Sequence, residues 1–137
     1  LRYRKNYRSS SNSFDELIFR NERHFSKELE FLVKPVISIS DFEFLQSYVS
    51  INAIYVLLYR IAISRQKEYL ASLVTFIKKS PYKLALQNEG IVKTLDLKHR
   101  MITDLLNNSQ YNTAFFLMRA IVNLKFLVLR IKEIINQ

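Results

Sequence analysis

Histidine and acid stand within one helical turn of each other at Asp96 and His99, an i, i+3 spacing that brings both side chains to one helix face. Such a pair could face a metal ion or serve a helical enzyme. No second histidine lies nearby in sequence to complete a ligand set, so the pair reads first as a polar contact on a solvated helix face. His24, among Arg20, Glu22 and Arg23, reads as a helix-surface residue as well. The twelve acidic residues never fall as Asp-x-Asp. Zero cysteines exclude a thiolate nucleophile, a disulfide framework and a thiolate zinc site. A single glycine excludes the glycine-rich phosphate loop and the dinucleotide fingerprint.

The remaining candidate chemistry is electrostatic. A formal net charge of +9 fits an anionic partner such as nucleic acid, acidic lipid or a phosphorylated ligand, or else a solvated surface that keeps the domain in solution. Arg2, Arg4, Lys5 and Arg8 crowd the first eight residues with cations and no acid. Lys78, Lys79 and Lys83 form a second cluster, a candidate anion or membrane surface. Stacking on nucleic acid needs exposed aromatic rings beside the cations. Tyr3 and Tyr7 meet that description, whereas Tyr48, Tyr55, Tyr59 and Tyr69 sit on or beside apolar stripes and read as core. Nucleic acid therefore ranks behind protein and membrane partners.

The elements that must carry these residues are helical. One glycine and two prolines leave little turn chemistry, and the apolar spacing repeats at helical intervals. The fold class is all-α: a bundle of about five helices over residues 13–137, preceded by a short extended basic arm at residues 1–12. Ser13 and Glu16 have capping-box spacing, which predicts a helix start there, with Phe14, Leu17, Ile18, Phe25, Leu29 and Leu32 on its buried stripe and Pro35 at its end. Ser40 and Glu43 repeat the box, which predicts a helix over 41–64 whose polar face is Glu43, Gln46, Ser47, Ser50, Arg60 and Ser64. A third helix is predicted over 66–79, with Tyr69, Leu70, Leu73, Val74, Phe76 and Ile77 buried and Pro81 as its stop. Gly90 marks a connection after a short turn through 84–87. Ile91, Leu95, Ile102, Leu105 and Leu106 make one face of a fourth helix ending near Asn107 and Asn108.

The last predicted helix, 111–135, has polar positions lined up at Asn112, Arg119, Asn123 and Arg130, and almost everything else on it is apolar. A helix of this kind is either central to a bundle, or it buries a second face against another domain, a subunit or lipid. Neither apolar stretch reads as a membrane span: residues 53–59 are short and end at Arg60, and residues 113–131 contain Arg119, Lys125 and Arg130. No secretory signal pattern appears at the N-terminus. The chain opens on Leu1 rather than methionine and reads as a piece of something larger.

Residues 1–13, Leu-Arg-Tyr-Arg-Lys-Asn-Tyr-Arg-Ser-Ser-Ser-Asn-Ser, resemble the segment that closes the catalytic domain of many bacterial family-2 glycosyltransferases. There an aromatic-Arg pair is followed by a serine-rich stretch and then helices. Tyr3-Arg4 and Ser9 to Ser13 are the matching positions, and Arg8 stands where the family usually has glycine. The resemblance implies an upstream α/β catalytic domain of GT-A type, holding a nucleotide-sugar and a divalent metal through Asp-x-Asp. It implies no catalytic core and no cofactor in this chain. Arg4, with Arg8 and Ser9, would lie near the donor diphosphate, where guanidinium forks and hydroxyls suit phosphate oxygens; the bland reading of residues 1–10 is a solvated arm.

The helices would then form the enzyme's C-terminal module in surface-polysaccharide synthesis. Their partners would be the upstream catalytic domain of the same chain, a second copy in a homodimer, or an anionic membrane surface, at a cytoplasmic location that includes the inner face of the membrane. The alternative is an independent basic helical module that binds nucleic acid or another polyanion.

Overall fold

The computed structural model describes residues 16–136, and there the chain is all-α. Seven helices follow in order: α1 (Glu16–Val33), α2 (Ile39–Ser64), α3 (Tyr69–Ile77), α4 (Tyr82–Leu86), α5 (Glu89–Val92), α6 (Leu97–Asn107) and α7 (Tyr111–Ile135). The predicted bundle is present, with two short helices where a turn and a glycine connection were expected. Gly90 lies inside α5 with no positive φ.

Helix α2 is the hub, and each of the other six packs against it. Ile51, Ile54, Leu57, Leu58, Ile61 and Ala62 are all buried, so most of the half beyond Ser50 is enclosed, and Val56 is left exposed. Ser50 itself is buried rather than on the polar face. Facing α2 are Leu70, Leu73, Phe76 and Ile77 of α3, Tyr82 and Leu86 of α4, Ile102 and Leu106 of α6, and Ala114, Phe115, Met118 and Val122 of α7. Among the described residues α2 is the one helix long and apolar enough to cross a membrane by length and composition. The sequence reading missed this because it bounded the apolar run at residues 53–59. In the fold Phe42, Ile51, Ile54, Leu57, Leu58, Ile61 and Ala62 of α2 are buried, whereas Ile39, Phe44, Tyr48 and Val56 are exposed.

Side-chain caps mark the starts of α2, α5 and α6. The N-cap of α2 is Ser38, not Ser40: its hydroxyl accepts from the Asp41 amide at 3.1 Å. Ser38 and Asp41 have the same S-x-x-acid spacing as the predicted box, two residues earlier. The predicted fourth helix is split by Asp96, whose carboxylate takes the His99 amide at 2.9 Å and starts α6 afresh. Asn88 caps α5 through the Ile91 amide at 3.3 Å and ties it to α2 through the Ser47 hydroxyl. With one glycine in the chain, left-handed positions fall to other residues: Arg65 ends α2 at φ 58° and Ser109 precedes α7 at φ 62°.

Helix α1 docks by a face that only partly matches its predicted apolar stripe: Ile18 of that stripe packs against the core. Phe19 is its buried residue, with its ring 5.3 Å from that of Phe76. Arg23 lies 5.4 Å over the same Phe76 ring, and Glu16 accepts from the Ser72 hydroxyl at 2.7 Å. This line of Glu16, Phe19 and Arg23 turns Leu17, Phe25 and Leu32 outward, where they are exposed. Ser13 and Phe14, and the arm at residues 1–12, lie outside the described residues.

Candidate functional site

The substrate-binding positions implied by the glycosyltransferase resemblance, Arg4, Arg8 and Ser9, lie outside the described residues. Lys78, Lys79 and Lys83 are described, and all three are exposed. They line two grooves. Lys78 and Lys83 line a groove of about 310 Å3 with Gln87, Asn107 and Tyr111, between the α3–α4 connection and the start of α7. Lys79 lines a separate groove of about 330 Å3 with Arg23, Ser26, Lys27 and Glu30 of α1. Lys78 and Lys79, adjacent at the end of α3, thus line different grooves, and the fold groups Lys79 with two cations some fifty residues away in the chain.

Below that second groove, Tyr82 is buried at 2% exposure. Its hydroxyl is, among the described residues, the buried side-chain polar atom without a well-formed hydrogen bond. Burial, then the Glu22 carboxylate, push the phenol up to about 12, against weaker opposing pulls from Ser26 and Arg23. Glu22 is itself raised above the ordinary carboxylate range by burial.

The Asp96 and His99 pair is formed, and its geometry is that of a helix cap. One carboxylate oxygen, Oδ1, receives both the His99 amide at 2.9 Å and the ring Nδ1 at 2.7 Å. The backbone bond first and the ring bond second hold the Asp96 carboxyl below its usual range. The imidazole is stacked on Tyr55 with centroids 3.7 Å apart. A shallow cavity of about 160 Å3 adjoins the pair, lined by Tyr48, Asn52, Thr94 and Leu95. Asp96 and His99 are thus committed to each other, to the first turn of α6 and to the face of Tyr55. Among the described residues no group of three or more His, Asp or Glu side chains is placed to share a metal ion. His24 also meets an acid, Glu28, at 3.8 Å across one exposed turn of α1.

Compared with known protein families, curated proteins and solved structures, the chain has no significant match.

The most unusual surface is on α7, where the two alternatives left open by the sequence divide the helix between them. Its first half is core: Ala114, Phe115, Met118 and Val122 are buried. Lys125 then lies over the Tyr59 ring at 5.5 Å. From Asn123 to Ile135 every residue is exposed, including Leu124 at 61%, Leu127 at 53%, Ile134 at 69% and Ile135 at 74%. Phe126, Val128, Leu129 and Ile131 are exposed too. The sequence reading named no residue of this segment as a site, although the polar positions it singled out, Asn123 and Arg130, lie along its edge.

Proposed function

We propose that this chain is a non-catalytic helical docking module and that it serves as the C-terminal region of a family-2 glycosyltransferase in bacterial surface-polysaccharide synthesis. The observation that supports docking is the exposed apolar half of α7. Three turns of helix carrying eight large apolar side chains keep that much hydrocarbon in water only at a cost of about 25 cal/mol per Å2, which a partner surface would recover. The glycosyltransferase context is supported by the resemblance at residues 1–13. In that context the catalytic domain lies upstream, with Arg4, Arg8 and Ser9 beside the donor diphosphate, and the bundle works on the cytoplasmic side.

The coding sequence upstream of the Leu1 codon tests the context. An in-frame α/β region carrying Asp-x-Asp supports it, and a start codon immediately before Leu1 contradicts it. The competing class, a polyanion-binding module, draws on Lys79, Arg23 and Lys27 in one groove. A salt titration of binding to duplex DNA separates the two. Binding that weakens steeply with salt would replace the docking reading with the polyanion one; no DNA binding at low salt supports docking.

A further inference from the structure

The exposed strip on α7 has an internal register. Leu117, Ala120, Leu124, Leu127, Ile131 and Ile134 follow one another at steps of three, four, three, four and three residues. These are the a and d positions of a heptad repeat, the seam along which two helices pack knobs into holes. The core residues Phe115, Met118 and Val122 fall on the other side of the helix, at f and b. One helix therefore carries two apolar faces, and the bundle uses one of them. The unused seam contains no charged residue; Leu117 is half-buried at the bundle end and the other five are exposed.

The edges of the seam say what covers it. One edge is apolar, with Ile121, Val128 and Ile135 at the e positions. The other, at the g positions, carries Phe116, Asn123 and Arg130. A parallel pair brings each g edge against the partner's e edge, so Asn123 would face Val128 and Arg130 would face Ile135 of the second copy. An antiparallel pair joins like edges. Ile121 then meets Val128 of the second copy, and Asn123 meets Arg130, whose donors the amide oxygen can accept. The seam layers become Leu117 with Ile134, Ala120 with Ile131, and Leu124 with Leu127, so the one small residue opposes a large one. Each layer occurs twice by symmetry, as an isologous two-fold interface requires. The helix dipoles also oppose favourably.

We propose that α7 pairs antiparallel with α7 of a second copy of this chain, through the seam from Leu117 to Ile134. This names the partner of the docking helix and rests on that reading. The area is sufficient. Phe116, Leu124, Leu127, Val128, Ile131, Ile134 and Ile135 are 42 to 74% exposed; at on the order of 100 Å2 each they approach the roughly 800 Å2 per partner of a stable interface.

The chain has no cysteine, so single cysteines report the pairing cleanly. Under oxidation, a mixture of Ala120→Cys and Ile131→Cys chains should cross-link as a heterodimer while neither variant alone does so. Light scattering should give twice the 16.3 kDa chain mass. A Leu124→Glu/Leu127→Glu variant should halve that mass and keep its helical circular dichroism. Self-cross-linking of Ile131→Cys would mean a parallel pair and overturn the proposal, as would a monomeric wild-type chain. A monomer that floats with phosphatidylglycerol vesicles would overturn the second-copy assignment and leave the docking reading standing. A monomer that binds neither vesicles nor any upstream domain would remove both.

Discussion

Asp96 accepts two hydrogen bonds from one residue, and both serve to hold the start of α6. Replacing it with alanine should destabilise the chain by about 1 kcal/mol or less, since the cap is solvent-exposed, whereas Asp96→Asn should retain most of the cap. The aspartate also carries a pH signature. Its folded pKa lies below the unfolded value, so its contribution is present above the ordinary Asp range and is lost as pH falls through the depressed value. Urea midpoints at neutral and acidic pH should therefore differ less for Asp96→Asn than for wild type. Tyr82 has the opposite sign: a folded phenol at about 12 contributes stability below an unfolded pKa of about 10, and that stability is lost as pH rises between the two. Tyr82→Phe should remove this alkaline loss, and should leave neutral-pH stability unchanged or higher by up to about 1 kcal/mol, because an ill-bonded buried hydroxyl goes with it. The pairing of Asp96 with His99 was legible from their spacing. Their stacking on Tyr55 was not, because residues 55 and 99 meet through the packing of α6 on α2.

Helix boundaries followed the apolar period closely in α7, which runs Tyr111–Ile135 although no side chain caps its start. Boundaries departed from the predicted ones where two candidate caps competed: Ser38 prevailed over Ser40, and Asp96 divided a helix that its apolar face alone would have continued. The apolar stripe of α1 misled in part, for another reason. An amphipathic pattern states that a face can be buried, and α1 is anchored instead by Phe19, Arg23 and Glu16 on α3. The shortage of glycine has a measurable effect at this scale. Arg65 ends α2 in the left-handed region, where a Cβ costs roughly 1 kcal/mol relative to glycine. Arg65→Gly should therefore raise stability by up to about 1 kcal/mol in urea denaturation, with no change in helix content.

In the whole molecule the described residues form a core organised on α2, and their longest run of exposed apolar side chains is the second half of α7. A further exposed set is Phe31, Leu32, Val36, Ile39 and Phe44. Truncating the hub should be costly: Leu58→Ala, at a fully buried position, should lose about 2–5 kcal/mol by equilibrium unfolding. The equally apolar Leu124, exposed on α7, should tolerate alanine with little loss of monomer stability. The all-α class was legible from composition and period, but which half of α7 the bundle covers was not, because both halves are apolar. Only the packing of Phe115, Met118 and Val122 against α2 decides it. The seam was nonetheless written in the spacing of Leu117 to Ile134 and becomes visible once the core face is known. The most direct test is amide hydrogen exchange across residues 124–135 of the wild-type chain as its concentration is raised. Pairing through the seam predicts protection that grows with concentration and is absent in Leu124→Glu/Leu127→Glu. Exchange that is equally fast at every concentration, and the same in both proteins, would contradict it.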